Sequence, residues 1–323
     1  MTRTRLYRNG VLELEDFPVA DISEHLIDPA ATVWLDYCRP TAEDLAAITE
    51  ELGLHALAVD DAVHEHQRPK VDRYDSHLFL TGYDVSLDKG SGELTTSEVA
   101  AFITSQALVT VRKDDGYDID AVVKRWDESP DLAKNGVAFL LWGLLDDIVD
   151  GHFEAVQQLD AEIEGLEDLL FDEKPHGNDV QRRSFEVRKS LVLLRRVVLP
   201  MREVVNSLMR RDLHVLDDTM TPYYQDVYDH VLRATEWTES LRDLVTTILE
   251  THLTMQSNRM NMIMKKVTSW AAIIAVPTAI TGFYGQNVPY PGFSKVEGFW
   301  TSSGLIVLLS GGLYWAFRRR EWI

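Results

Sequence analysis

Val267-Thr-Ser-Trp-Ala-Ala-Ile-Ile-Ala-Val-Pro-Thr-Ala-Ile-Thr-Gly-Phe-Tyr-Gly-Gln-Asn287 decides how this chain is read, because it carries no charge and none follows until Lys295. About 20 such residues cross the hydrocarbon core of a bilayer. A second uncharged run extends from Phe299 to Phe317. The longest comparable stretch upstream, Asn135 to Leu145, is too short to cross and reads as the start of a buried helix. Two spans are therefore expected, both near the C-terminal end: 267–287 and 299–317, joined by an outer loop at 288–298.

Orientation follows from the basic residues beside them. Arg259, Lys265 and Lys266 precede the first span, and Arg318, Arg319 and Arg320 open the tail 318–323. Basic flanks stay on the cytoplasmic side, so the loop faces outward and both termini are expected in the cytoplasm. The opening residues Met1 to Arg8 lack the apolar run of a secretory signal. An inner (plasma) membrane protein that crosses the bilayer twice is the expectation.

The net charge of −20 argues against nucleic acid as a partner, since phosphate-backbone contact needs a clustered basic surface. Cations suit such a chain better. The single cysteine, Cys38, excludes an intrachain disulfide framework and a cysteine-based zinc site, and it reads as a packed thiol.

Residues 1–135 hold short β-favouring runs: Ala31 to Asp36, His77 to Val85, Glu98 to Ile103 and Ala107 to Arg112. Between them Thr41 to Leu52 reads as a helix opened by a capping threonine. This part is an α/β domain. Residues 136–266 form a helical domain and stalk, with apolar positions at three- and four-residue spacing over 137–171 and 179–213. Thr221-Pro222 suits a third helix start, and nothing breaks that helix before Tyr284. The fold class is an α+β membrane protein: an N-terminal cytoplasmic α/β domain, a long helical stalk and two C-terminal transmembrane helices.

Along that last helix Glu250, Thr254, Ser257, Asn261, Met264, Thr268, Ala271, Ala275, Thr278 and Gly282 fall on one face by alternating steps of four and three. Within the membrane the face is small and hydroxyl-bearing, which suits close helix packing and a pore wall alike. Below the membrane it is polar where a plain coiled coil would place Leu or Ile, and a wetted axis explains that choice. Pro277 removes one helical hydrogen bond, and a water-lined cavity can satisfy the carbonyl it frees.

These residues resemble the CorA family of divalent-cation transporters, marked by two C-terminal spans and a Gly-Met-Asn motif that closes the first. The motif stands here as Tyr284-Gly285-Gln286-Asn287, after the lead-in Pro277-Thr-Ala-Ile-Thr-Gly282. Further matching blocks are His66-Gln-Arg-Pro-Lys70, Pro222-Tyr-Tyr-Gln-Asp-Val-Tyr-Asp-His230 and Arg318-Arg-Arg-Glu-Trp322. The resemblance implies a homopentamer in the lipid bilayer whose first span lines a central pore, with Mg²⁺ as the transported and regulatory ion and no organic cofactor. Asn287 would then supply a ring of amide oxygens that holds hydrated Mg²⁺ without stripping it. Gly285 would let the backbone turn, and Thr278 and Asn261 would form polar rings below.

The resemblance also implies acidic pairs that bind Mg²⁺ between subunits and shut the pore. The matching positions are Asp60, Asp61 and Asp226, with Asp146 and Asp150 as further members. Gln286 departs from the family's methionine, so Zn²⁺ or Co²⁺ transport on the same fold, coupled or not to protons, stays an alternative. A membrane-anchored cation sensor that conducts nothing is a second. His64-Glu65-His66 lacks the spacing of a zinc hydrolase helix, and neither a Gly-x-Ser-x-Gly elbow nor a phosphate-binding Gly-Lys-Ser/Thr loop occurs. The chain is expected not to be an enzyme and to run on the ion's gradient or the membrane potential.

Overall fold

Strands that alternate between two faces, each covered by helices, organise the first part of the molecule. The computed structural model describes residues 2–64, 67–88, 92–171, 177–210, 218–286 and 288–323. In chain order the elements are β1 (Thr2–Arg8), β2 (Val11–Glu15), α1 (Ile22–His25), β3 (Ala31–Cys38), α2 (Ala46–Leu52), α3 (Ala56–Val63), β4 (Lys70–Arg73), β5 (Leu78–Leu87), β6 (Leu94–Ile103), β7 (Ala107–Arg112), α4 (Ile119–Glu128), α5 (Val137–Phe171), α6 (Gly177–Leu208), α7 (Thr221–Tyr284) and α8 (Val296–Arg319). The strands form one seven-stranded sheet in the order β2-β1-β3-β7-β6-β5-β4. Only β3 and β7 run parallel, in register from Val33 opposite Ala107 to Cys38 opposite Arg112.

Val33, Leu35, Phe79, Phe102 and Val109 point to one face and pack with Ile48, Ala58 and Ala62 of α2 and α3. Their neighbours Trp34, Leu78, Leu80, Val99 and Leu108 point to the other and pack with α4, α5, α6 and the start of α7. Covering both faces explains why the central strands read as unbroken apolar runs. On the second face Trp34 and Trp126 meet edge to face at 5.0 Å. Trp126 Nε1 donates to Leu140 O at 3.1 Å, and a β-carbon on Gly143 would collide with its indole, so a glycine is needed where α4 crosses α5.

The structure extends the expected secondary structure at several points. Strand β1 escapes apolar pattern reading because Arg5 lies inside it. The Arg5 guanidinium is buried, but it pairs with Glu15 at 2.7 Å and Asp127 at 3.0 Å, which offsets the cost of removing a charge from water. Thr41 does not cap the α-helix, whose N-cap position is Leu45 with no side-chain cap bond; it closes a turn ahead of it, its N–H donating to Asp44 Oδ2 at 2.7 Å and its hydroxyl accepting from Asp44 N at 3.3 Å. The regular helix begins at Ala46. Helix α6 ends at Leu208, and residues 211–213 of the expected stretch lie outside the described residues. Helix α8 exceeds its charge-free run at both ends, with Glu297 in the first turn and Arg318 and Arg319 in the last, each sign complementing the helix dipole.

The chain divides into two compact units, Met1–Ile248 and Leu249–Ile323. The first holds the sheet, α1 to α6 and the start of α7. The second holds the rest of α7, the connection and α8. The strand-bearing and helix-bearing segments of the first unit share the core beneath α5, so the change from strands to helices near 135 separates element types within one unit.

Candidate pore and cation-sensing residues

In the second unit α7 continues through Pro277 to Tyr284 without interruption. Glu250, Thr254, Ser257, Asn261, Met264, Thr268, Ala271, Ala275, Thr278 and Gly282 are all exposed. Ser269 is buried, while Ala272, Ile273, Val276, Pro277 and Ile280 are half-buried. At about 100° per residue these two sets lie on roughly opposite sides of the helix. Trp270 meets Tyr314 of α8 with ring centroids 6.4 Å apart. The single chain thus leaves the polar and small-residue stripe uncovered along its length. Thr254 and Thr278 turn their hydroxyls to the carbonyls of Glu250 and Ile274 at 2.9 and 3.0 Å, leaving oxygen lone pairs on the stripe.

At the top of the helix the Gly285 N–H donates to Thr281 O at 2.8 Å, and a β-carbon at Gly285 would lie 2.9 Å from that same oxygen. Only a residue without a side chain sits there unstrained. Tyr290 donates its hydroxyl to Tyr284 O at 3.0 Å and packs edge-on against the Tyr284 ring at 4.9 Å. It satisfies one of the carbonyls that a helix end leaves open. Gln286 is exposed, and Asn287 lies outside the described residues.

The acidic residues stand in the first unit. Asp60 and Asp61 belong to α3, Asp226 is exposed near the start of α7, and Asp146 and Asp150 sit one turn apart on α5. Asp61 pairs with Lys70 at 2.6 Å, and Asp60 faces His64 Nδ1 at 3.2 Å. Asp146, Asp150 and His230 each bring a ligand atom within 4.8 Å of the others. His230 is the member that sequence reading overlooked; its signal was its place one helical turn after Asp226. Arg125 is in the same cluster, paired with Asp146 and, at 2.8 Å, with Asp150. An oxygen-rich set of this kind suits a hard cation, which would compete with the guanidinium for those oxygens.

Around this cluster burial dominates the proton equilibria. It pushes the carboxyls of Asp146 and Asp147 up despite the nearby Arg125 cation, and it pushes Asp84 up to about 6, with the Asp147 and Asp114 charges acting in the same direction. His152, fully buried on α5, is pulled down to about 4 by burial, although its Nε2 lies 2.7 Å from Tyr83 O.

A unit built on a two-faced sheet, a continuous helix α7 that leaves it and ends in an apolar segment, a second apolar helix α8 and an exposed polar stripe on α7 together fit a membrane transport protein. The family model for the CorA-like Mg²⁺ transporter protein matches residues 29–319. The chain belongs to the CorA family of divalent-cation transporters. It is 28% identical over 319 residues to the cobalt/magnesium transport protein CorA of Thermotoga maritima, covering 97% of this chain and 90% of that one. It is 24% identical over 262 residues to the zinc transport protein ZntB of Pectobacterium carotovorum, covering 80% and 78%. The complete structure of the CorA magnesium transporter from Methanocaldococcus jannaschii shares the fold with a TM-score of 0.80 at 23% identity, covering 100% of this chain and 99% of that one.

Proposed function

We propose that the chain is one subunit of a homopentameric Mg²⁺ channel in the inner membrane, with both termini in the cytoplasm, and that cytoplasmic Mg²⁺ closes it. The observation that carries this reading is the stripe from Glu250 to Gly282, uncovered in the single chain and lying opposite the side that meets α8. Copies arranged around an axis would bring these stripes together and supply the water that their hydroxyls and amides require. At the mouth, Asn287 presents neutral amide oxygens, with Gly285 allowing the turn and Tyr284 and Gln286 flanking it. Neutral acceptors bind hydrated Mg²⁺ well enough to select it and weakly enough to release it. Thr278, Met264, Asn261 and Glu250 line the path below.

For regulation, Asp60, Asp61 and Asp226, aided by Asp146 and Asp150, offer carboxylates whose mutual repulsion a divalent cation relieves. Their chemistry fits Mg²⁺, which takes oxygen ligands. A Zn²⁺ transporter of the same fold is the second reading, favoured by Gln286 in place of the family's methionine and by the likeness to a zinc transport protein.

Uptake into vesicles by the purified chain across a panel of divalent ions tests both. Mg²⁺ entry that stops at raised internal Mg²⁺ supports the first reading. Zn²⁺ entry without Mg²⁺ entry sinks it and supports the second. Asp61→Ala is expected to leave the pore open at internal Mg²⁺ levels that close the wild type.

A further inference from the structure

The acidic helix α3 is short, and one buried cation from another part of the sheet holds its end. Lys113 follows β7 directly, and its side chain is 7% exposed. Its ammonium donates to three backbone carbonyls at the C-terminal end of α3, two in its last turn and one on the residue that follows it: Ala62 O at 2.5 Å, Asp61 O at 3.1 Å and His64 O at 2.6 Å. These are among the carbonyls a helix leaves without N–H partners at its C-terminus, where a cation also complements the dipole. A buried ammonium needs a countercharge. Glu98 of β6, itself 5% exposed, places a carboxylate oxygen 3.6 Å away. The Glu98 carboxylate accepts in turn from the Tyr83 hydroxyl at 2.8 Å, and the Tyr83 backbone carbonyl lies 2.7 Å from His152 Nε2 of α5.

We propose that Lys113, neutralised by Glu98, is a positioning residue for the regulatory carboxylates. It fixes the turn that presents Asp61, and it thereby sets the Mg²⁺ concentration at which transport stops. The backbone atom of Asp61 that Lys113 grips belongs to the same residue whose carboxylate extends toward Lys70. Loss of the ammonium leaves the three carbonyls without their shared donor and lets the last turn of α3 fray. The Asp61 carboxylate then explores many positions before a cation can bridge it, and this ordering cost appears as weaker regulatory binding. The pore lies in the other unit and makes none of these bonds, so conduction at low internal Mg²⁺ is independent of Lys113. The inference rests on the reading that Asp61 acts in regulation.

The test uses the full chain in vesicles, with Mg²⁺ entry measured against Mg²⁺ preset on the inner side, for the wild type, Lys113→Met, Lys113→Arg, Glu98→Gln and Asp61→Ala, each checked for a cooperative thermal transition. Lys113→Met is expected to raise the half-inhibitory Mg²⁺ concentration about tenfold with maximal entry unchanged, and Lys113→Arg to return it to within about threefold of wild type. Glu98→Gln, which keeps the shape and removes the countercharge, is expected to shift the same quantity in the same direction and serves if Lys113→Met does not fold. A half-inhibitory concentration within about twofold of wild type in a folded Lys113→Met or Glu98→Gln protein, while Asp61→Ala shifts it, overturns the role of Lys113 alone. Unchanged inhibition in Asp61→Ala overturns the regulatory reading, and the assignment of Lys113 with it.

Discussion

Phe102 and Phe283 carry the same side chain in opposite circumstances: Phe102 in the sheet is 0% exposed, whereas Phe283 near the end of α7 is 57% exposed. The first unit finishes its own packing, with helices on both faces of the sheet. The second unit leaves most of its apolar surface open, as suits helices whose solvent is a bilayer and, in the proposed assembly, other copies of the chain. Burial in the first unit contributes to the stability of one chain. In the second the same apolar atoms become useful only in lipid or in an assembly, where van der Waals packing and polar contacts replace the hydrophobic effect between helices.

Four substitutions test this contrast, from the largest expected effect to the smallest. Asn287→Ala should reduce Mg²⁺ entry to background while the thermal transition of the first unit stays where it is; entry at the wild-type rate would remove the motif from the pore. Phe102→Ala should destabilise the first unit by about 3–5 kcal/mol, measured by denaturant unfolding of the chain in detergent. A loss under about 1 kcal/mol would mean that the sheet core is loosely packed.

Asp84→Asn comes next, with an effect that depends on pH. Burial raises the Asp84 carboxyl in the folded chain to about 6 from an unfolded value of 3.8, so the folded state holds the proton more tightly. The stability this gives is present below about pH 4 and lost as pH rises through about 6. The asparagine variant should therefore match the wild type near pH 4 and be more stable at pH 7. His152 acts in the opposite sense: its folded value of about 4 lies below its unfolded 6.5, so its contribution is present above 6.5 and lost as pH falls toward 4. Equal stability of wild type and Asp84→Asn at both pH values would show that Asp84 is hydrated in the folded state. Last, Ile274→Ala, on an exposed face of α7, should change the unfolding of detergent-solubilised single chains by less than about 0.5 kcal/mol. A larger loss would mean that Ile274 is covered within one chain.

Much of this was legible in the sequence because its signals are local. Twenty uncharged residues, a stripe in steps of three and four, and runs such as Ala107 to Arg112 each state their solvent or their period without reference to distant residues. What escaped depended on partners far along the chain. Strand β1 was hidden by Arg5, whose charge makes sense only beside Asp127. Strand β4, Lys70–Arg73, has polar letters and forms because β5 offers it an edge. His230 joins Asp146 and Asp150 only once α7 lies against α5. Tyr290 gains its role from a carbonyl six residues earlier that the helix end leaves open.

The sequence by itself determined the two apolar segments, their flanks of basic residues, the Tyr284-Gly285-Gln286-Asn287 motif that closes the first and the order of strands before helices, since hydropathy and period are properties of neighbouring residues. Only the tertiary structure decided that both faces of the sheet are covered, that α8 leaves the polar stripe free, and that Lys113 closes the helix bearing Asp61. Those outcomes depend on which groups become neighbours when the chain folds, and a buried charge such as Lys113 is stable only where its carbonyls and its carboxylate converge.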